Sequence, residues 1–353
     1  MRCSIVPPYL LARLAQLDDP LFARTAVAAQ RSLLLDEPMR SIRTGEVPPP
    51  AGPGALRQQS VATVTIEAVR RTIASAGNTE QLPGTVVRRE GEAATSDPAV
   101  TEAYDGLGHT HDFFAKAYGR ASIDNDNLPL DASVHYGVDY DNAFWNGERM
   151  VFGDGDGQVF TRMTRSLTVI GHELTHGVTQ YSANLDYSGQ SGALNESVSD
   201  VFGALVEQYT LKQTAQTASW LIGAGIFTGA VQGTALRSMK APGTAYDDNV
   251  LGKDPQPDSM DGYVTTRTDS GGVHLNSGIP NRAFYLAADT IGGHAWERVG
   301  QVWYDTLIGG TLKPGADFAA FARATIAAAG ARYGATSAEV DAVTAGWTTV
   351  KVL

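Results

Sequence analysis

The sequence predicts an α+β chain in which a β-rich half precedes a helical half, both behind a short N-terminal segment. Three observations predict it. Residues 46–55, EVPPPAGPGA, carry too much Pro and Gly to pack as an element and read as a linker between units. From about residue 82 to 160 the segments are short, rich in Val, Tyr and Phe and punctuated by Gly, Asp and Asn, as strands and tight turns are. From Thr164 onward helical patterns dominate.

At 353 residues the chain is long for one core. The expected division is 1–52, 53–165 and 166–353. A hydrophobic content of 43% with 18% charged residues is that of a soluble globular protein. A net charge of −11 argues against nucleic acid and anionic membrane as partners, because phosphate would repel it. No apolar run reaches the length of a membrane span, and the single cysteine, Cys3, excludes an internal disulfide framework. The opening MRCSIVPPYLLARLAQLDDP is no conventional export signal, since Pro7 and Pro8 interrupt the apolar run and Arg13 follows. The expectation is therefore a monomer made in the cytoplasm, with release by a non-classical route left open.

Taken in order, residues 19–37 read as a helix. Asp19 can cap it, Pro20 suits its first turn, and Leu21, Phe22, Val27 and Leu33 to Leu35 supply apolar positions, with Pro38 as the stop. A second helix is expected around VTEAYDGLGHTHDFFAKAYG. Strands and turns follow in ASVHYGVDYDNAFWNGERMVFGDGDGQVF. There GDGDG, residues 153–157, reads as a hairpin turn, since it lacks the spaced acids and terminal Glu of a calcium loop. Helices are then expected in RSLTVIGHELTHGVTQYS and GALNESVSDVFGALVEQYT, and three or four more in the last 75 residues.

Chemistry concentrates in the string HELTH, His172 to His176. Two His at i and i+4 lie one turn apart on one helix face, so both imidazoles can reach a single ion, and Glu173 can reach a water held there. A catalytic zinc site of this type needs a third ligand and an open fourth position. NESVSD offers Glu196, twenty residues after His176, with Asp200 one turn later to accept a ring N–H from a liganding His. Taken singly, these strings also suit a helix with two surface histidines and a solvated acidic face. TDSGGVHLNSG adds His274, with Asp269 five residues before it, which can hold an imidazole as a cation beside a developing oxyanion.

HELTH, NESVSD, SGGVHLNSG, YDNAFWNG and LRSM occur in the order and rough spacing of the thermolysin-like zinc metalloproteases, which the chain resembles from about residue 82 to its end. The resemblance implies a two-domain fold with a zinc cleft between a β-rich and a helical domain. It implies that His172, His176 and Glu196 bind one zinc ion, and that Glu173 is the general base and proton shuttle. Tyr187 and His274 would stabilise the oxyanion, with Asp269 orienting His274. Asn142 and Ala143 would pair with substrate backbone, Arg237 would contact a primed-side carbonyl, and Phe160, Val169 and Leu236 would line the pocket for a bulky apolar residue. For that pocket a plain core role stays open.

The chain departs from many secreted relatives at their double calcium site. Thr168, Ser219, Leu221, Ala224 and Gly225 stand where carboxylates are expected, so no double calcium site is predicted, and Glu207 is read as a surface charge. The opening stretch resembles the short prosegments of the protealysin-like branch. Residues 1–52 are accordingly expected to form an inhibitory propeptide, with an extended Pro7, Pro8, Tyr9, Leu10 plugging the primed subsites. Cys3 reads as a free thiol near a chain end, with a thiolate on zinc as the lesser alternative left open. The competing readings are a catalytically silent zinc-binding protein of the same fold and a zinc aminopeptidase; the second would need a motif for a free amine, and none is visible.

Overall fold

The structure, a computed structural model, describes residues 3–43 and 65–353. The expected linker and the boundary at residue 52 lie outside the described residues, as does the side chain of Cys3. Among the described residues no helix is long and apolar enough to cross a membrane.

The β-rich half is built on β2 (Arg71–Thr79), β3 (Thr85–Arg89), β4 (Leu130–Tyr136), β5 (Ala143–Trp145) and β6 (Met150–Phe152). A short N-terminal strand, β1 (Cys3–Ser4), completes a six-stranded sheet of order β1-β5-β6-β4-β2-β3. Because β2 and β4 are parallel, the chain must cross over between them, and α3 (Pro98–Tyr118) makes the crossover. Its start is dictated locally. The Asp97 carboxylate accepts the Ala99 N–H at 2.9 Å, Pro98 occupies the first position, and Gly119 ends the helix in the left-handed region at φ 63°.

His135 ties these elements together. Its Nε2 lies 2.7 Å from Asp97 and its Nδ1 2.8 Å from Asp154 in the loop after β6. The Asp154 hydrogen bond, with Asp97 behind it, outweighs burial and holds the imidazole up to about 9 from its ordinary 6.5. A raised folded-state value means the stabilisation is complete below about 6.5 and is lost as pH rises through about 9. Urea midpoints of the parent chain should therefore fall across that window. His135→Gln should lower the midpoint at pH 6 and flatten the slope; an unchanged slope would contradict this clamp.

The loop that carries Asp154 is no hairpin turn, contrary to the sequence expectation for GDGDG. Between β6 and residue 166 the described residues make only an isolated bridge, Phe160 to Phe227. The buried Asp156 carboxylate organises the loop by accepting the N–H groups of Gln158, Val159 and Phe160 at 2.8–3.0 Å. Gly155 turns at φ +73°, where a Cβ would lie 2.6 Å from two carbonyl oxygens.

The helical half starts with α4 (Leu167–Gln180) and α5 (Gly189–Leu211), which cross in close contact. At the crossing a Cβ on Gly171 would lie 3.0 Å from the Gly203 Cα, and one on Gly203 only 2.6 Å from the Thr168 carbonyl oxygen. Two glycines thus let the backbones approach and bring the middle of α5 against the middle of α4. Short pairs follow, β7 (Leu221–Ile222) with β8 (Arg237–Ser238) and β9 (Asp247–Asp248) with β10 (Gly252–Lys253). Then come α6 (Asp269–Asn276), α7 (Gly278–Ile291), α8 (Val299–Ile308), α9 (Phe318–Tyr333) and α10 (Ala338–Thr349), pinned by stacked Trp303 and Trp347 at 6.0 Å.

The N-terminal segment differs from expectation in three ways. Pro7 is extended but Pro8 opens a helix, α1 (Pro8–Leu14), so the Pro-Pro element is a helix start and not an extended plug. Asp19 does cap, accepting the Leu21 N–H at 2.9 Å, but over a single 3-10 turn, and the helix proper, α2 (Ala23–Arg43), runs past Pro38. One missing N–H removes one bond, and the neighbouring turns carry the helix on. The third difference is its buried face. Leu21, Val27 and Leu34 are exposed, whereas Thr25, Ala28, Ala29, Ser32 and Asp36 are buried. Those small and polar residues meet the β-rich half directly. The Thr25 hydroxyl donates to Asp156, Ser32 Oγ accepts the Asp141 N–H at 3.0 Å, and Asp36 accepts from Tyr140 at 2.5 Å and from Asn142 Nδ2 at 2.9 Å.

Candidate active site

The crossing of α4 on α5 decides the geometry. His172, His176 and Glu196 are fully buried, and their donor atoms lie within 4.8 Å of one another. Each imidazole is oriented from behind. His172 Nδ1 lies 2.8 Å from Asp200, and His176 Nδ1 lies 2.8 Å from Asn195 Oδ1 and 3.0 Å from Ser199 Oγ. Acceptors on both Nδ1 atoms leave the Nε2 lone pairs facing each other at 3.0 Å, each 3.5 Å from the Glu196 carboxylate. Glu196 Oε2 has no hydrogen-bond partner although it is buried. Two lone pairs and a carboxylate in contact repel unless a cation sits between them, so this donor set fits a zinc ion of the His₂Glu kind.

Asp200 does more than accept from His172. It also receives Arg237 Nε at 2.9 Å, Arg237 Nη2 at 2.8 Å and Asn281 Nδ2 at 2.8 Å. Against the cost of burial, the Arg237 charge holds the Asp200 carboxyl down at about 2. One buried carboxylate therefore positions both a candidate metal ligand and the guanidinium beside it. Asn195, Ser199 and Asn281 were not legible as partners. The 195/199 pair has i, i+4 spacing inside NESVSD, which was a usable signal; Asn281 had none.

Glu173, one residue past His172, is fully buried, and its Oε2 accepts the Trp145 N–H at 3.0 Å. It is thereby tethered to the edge strand β5. Opposite, four successive residues with positive φ, Asp269 to Gly272, fold the start of α6 back so that Asp269 meets His274. Asp269 Oδ1 lies 2.5 Å from His274 Nδ1, and its Oδ2 accepts the His274 N–H at 2.9 Å. Burial alone would lower the imidazole, but the Asp269 and Glu196 carboxylates outweigh it and raise the His274 value above its usual range. The Tyr187 hydroxyl donates to Glu196 and lies 3.4 Å from His274 Nε2. A buried carboxylate, a donor set that fits a cation, a phenol and an imidazole thus line one cleft, an arrangement chemically suited to adding water to a carbonyl.

The N-terminal segment occupies that cleft as an added strand. Cys3 pairs with Trp145 and Ser4 with Phe144, antiparallel. The Ile5 N–H donates to the Ala143 carbonyl at 3.1 Å, the Val6 N–H to Asn142 Oδ1 at 2.8 Å, and Arg237 Nη1 to the Ile5 carbonyl at 3.0 Å. His274 Nε2 lies 2.9 Å from the Ser4 carbonyl oxygen. Contacts to the cleft residues thus come from Ser4, Ile5 and Val6, ahead of the Pro7 to Leu10 stretch singled out from sequence. Leu10 is buried against α1's own surroundings, and Tyr9 is half-buried. Arg13 extends the contact by donating to the Asn249 and Val250 carbonyls.

Phe160, Val169 and Leu236 are all at most 1% exposed and belong to the main apolar core, which also takes in Ile5. Thr168, one of the positions at which the family resemblance led to the expectation of a carboxylate, is buried and accepts the Gly223 N–H at 2.9 Å. Glu207 is half-buried rather than a plain surface charge, and burial pushes its carboxyl up.

Two family models match this chain. That described as the thermolysin metallopeptidase catalytic domain covers residues 56–180, and that described as its alpha-helical domain covers residues 183–352. The chain belongs to the thermolysin metallopeptidase family. As a thermolysin-family chain it is a zinc metalloendopeptidase by class. It is 50% identical over 350 residues to the "Extracellular metalloprotease" of Pectobacterium carotovorum subsp. carotovorum, covering 99% of this chain and 96% of that one. It is 44% identical over 304 residues to the "Extracellular minor metalloprotease" of Serratia marcescens, covering 84% of this chain and 79% of that one. Among solved structures, the precursor of protealysin from Serratia proteamaculans matches with a TM-score of 0.88 at 50% identity, over 99% of this chain and all of that one. The names of the first two relatives overturn the cytoplasmic expectation. The absence of a conventional signal pattern in the opening residues was too weak a ground for a location.

Proposed function

We propose that the chain is a zinc-dependent endopeptidase that cuts before bulky apolar residues, made as a precursor whose residues 1–52 fill its own cleft. Residues 53–165 and 166–353 form the two sides of that cleft. The observation that carries the reading is the facing pair of imidazole Nε2 atoms beside Glu196, set against a cleft already holding an extended strand of the chain. Held by His172, His176 and Glu196, zinc supplies Lewis-acid polarisation and a more acidic bound water. Glu173 takes the proton of the attacking water and delivers it to the leaving nitrogen. Tyr187 and His274 donate to the oxyanion, and Asp269 keeps His274 charged for that purpose. Asn142, Ala143 and Arg237 hold substrate backbone by strand addition. Phe160, Val169 and Leu236 line the pocket for the residue after the cut.

In the precursor, β1 and the residues after it take the substrate's place, and Pro8 to Leu14 cover the primed side. The polar face of α2 suits a segment that must leave, since Thr25, Ser32 and Asp36 can exchange their partners for water. Work outside the cell is consistent with the relatives' names. The test compares precursor with processed chain on casein. The precursor should be nearly inert, and products of the processed chain should begin with Leu, Ile, Val or Phe. Equal activity of the two forms would sink the blocking role, and product ends without apolar preference would sink the pocket.

A further inference from the structure

Resting on that reading, we infer that the N-terminal strand is held in the register of a substrate, with Ser4–Ile5 as the peptide bond presented for cleavage. Four of the groups that hold substrate backbone or its oxyanion in the proposed reaction, His274, Arg237, Ala143 and Asn142, meet the matching atoms of this strand. The Ser4 carbonyl oxygen faces His274 Nε2 at 2.9 Å, the place of an oxyanion donor, with the Tyr187 hydroxyl 3.4 Å from that nitrogen. The next carbonyl, of Ile5, takes the Arg237 guanidinium at 3.0 Å. The Ile5 N–H, which would become the leaving amine, points to the Ala143 carbonyl at 3.1 Å, and the Val6 N–H to Asn142 Oδ1 at 2.8 Å. Donors meet acceptors throughout. A strand running the opposite way would not keep this order, because it exchanges N–H for C=O positions along the edge.

The burial pattern agrees. Ile5 and Val6 are fully buried and Ser4 is 5% exposed, so the bond lies in the cleft and not at its mouth. Glu173 accepts the N–H of Trp145, the residue paired with Cys3, which fixes the base beside the acyl side of the same bond. The Pro7–Pro8 peptide, in contrast, lies beyond these contacts and lacks the N–H that a leaving amine needs.

The step is a hydrolysis with water as the only co-reactant. Water oxygen bonds the Ser4 carbonyl carbon and the Ser4–Ile5 C–N bond breaks. Both water protons end on the Ile5 nitrogen, the first taken up by Glu173 from the attacking water and the second from the hydroxyl of the tetrahedral intermediate, leaving a Ser4 carboxylate and an Ile5 ammonium; nothing is oxidised or reduced. The product opposes its own retention. It cuts the Cys3–Ser4 pairing away from the rest of the segment, so that Ile5 and Val6 lose the covalent continuity with β1 that anchors them. Clipping here would loosen the segment independently of any cut in residues 44–64.

The test uses the full chain loaded with zinc, followed by intact mass and N-terminal sequencing during maturation. A fragment beginning at Ile5 is expected, and it should be absent from Glu173→Gln. A chain that cleaves casein while every prosegment fragment keeps residues 1–10 joined overturns the inference and leaves the protease reading intact. The register is also readable without turnover. In the Glu173→Gln chain, adding Asn142→Ala should speed hydrogen exchange of the Val6 amide about tenfold more than that of Ile5, since only Val6 loses its acceptor. Exchange that rises equally at both amides, or at neither, overturns the register even if no casein is cut.

Discussion

Glu173→Gln is expected to lower kcat for peptide hydrolysis about 10²–10⁴-fold, the usual worth of a positioned general base, while leaving the fold intact. Gln has the same shape and keeps an oxygen for the Trp145 N–H that Glu173 now accepts at 3.0 Å. Glu173 stands apart from the His172, His176 and Glu196 donor set, so zinc should still bind stoichiometrically. Casein assays beside metal analysis and urea unfolding separate these effects. A variant within tenfold of the parent would remove Glu173 from its role. A variant that loses zinc would show that it acts in holding the metal.

Arg237→Met is expected to cost about 3–5 kcal/mol of stability, because it leaves the fully buried Asp200 carboxylate without its counter-charge. The same change deletes the donor to the Ile5 carbonyl and, on the proposed function, the donor to a substrate carbonyl, which should lower kcat/KM by about 10–10². Adding Asp200→Asn removes the stranded charge and should restore much of the urea midpoint, but none of the lost kcat/KM. If the single variant unfolds at the parent's midpoint, the Asp200–Arg237 pair is not the support described here.

The site was more legible than the segment that fills it, for a physical reason. A metal centre imposes spacing. Two imidazoles must share one helix face, which fixes i and i+4, and the third donor came from a motif readable as helix on its own. That the two helices meet closely enough depends on Gly171 and Gly203, whose role is visible only where the backbones touch. The orienting residues Asn195, Ser199 and Asn281 were hidden because neutral amides and hydroxyls occur everywhere.

The N-terminal segment misled because periodicity arguments look for an apolar stripe. Leu21, Val27 and Leu34 offered one, yet they face solvent while Thr25, Ser32 and Asp36 make the contact. On the proposed reading the segment is shed, and a segment that leaves need not bury its largest side chains. Pro7 and Pro8 are equally ambiguous in isolation, since the same fixed φ suits an extended chain and the first turn of a helix. GDGDG shows the same limit from another side. Its turn residues were read as a hairpin turn, but a buried carboxylate and not a second strand organises the loop.

The central claim is that peptide hydrolysis depends on one zinc ion held by His172, His176 and Glu196. The most direct measurement is metal content against casein cleavage, with the processed chain stripped by chelator and titrated with zinc. Cleavage should vanish in the stripped chain and return linearly to a plateau at one zinc per chain, with His176→Ala failing to recover at the same metal concentration. Cleavage that persists in the metal-free chain, or that recovers equally in His176→Ala, would contradict it.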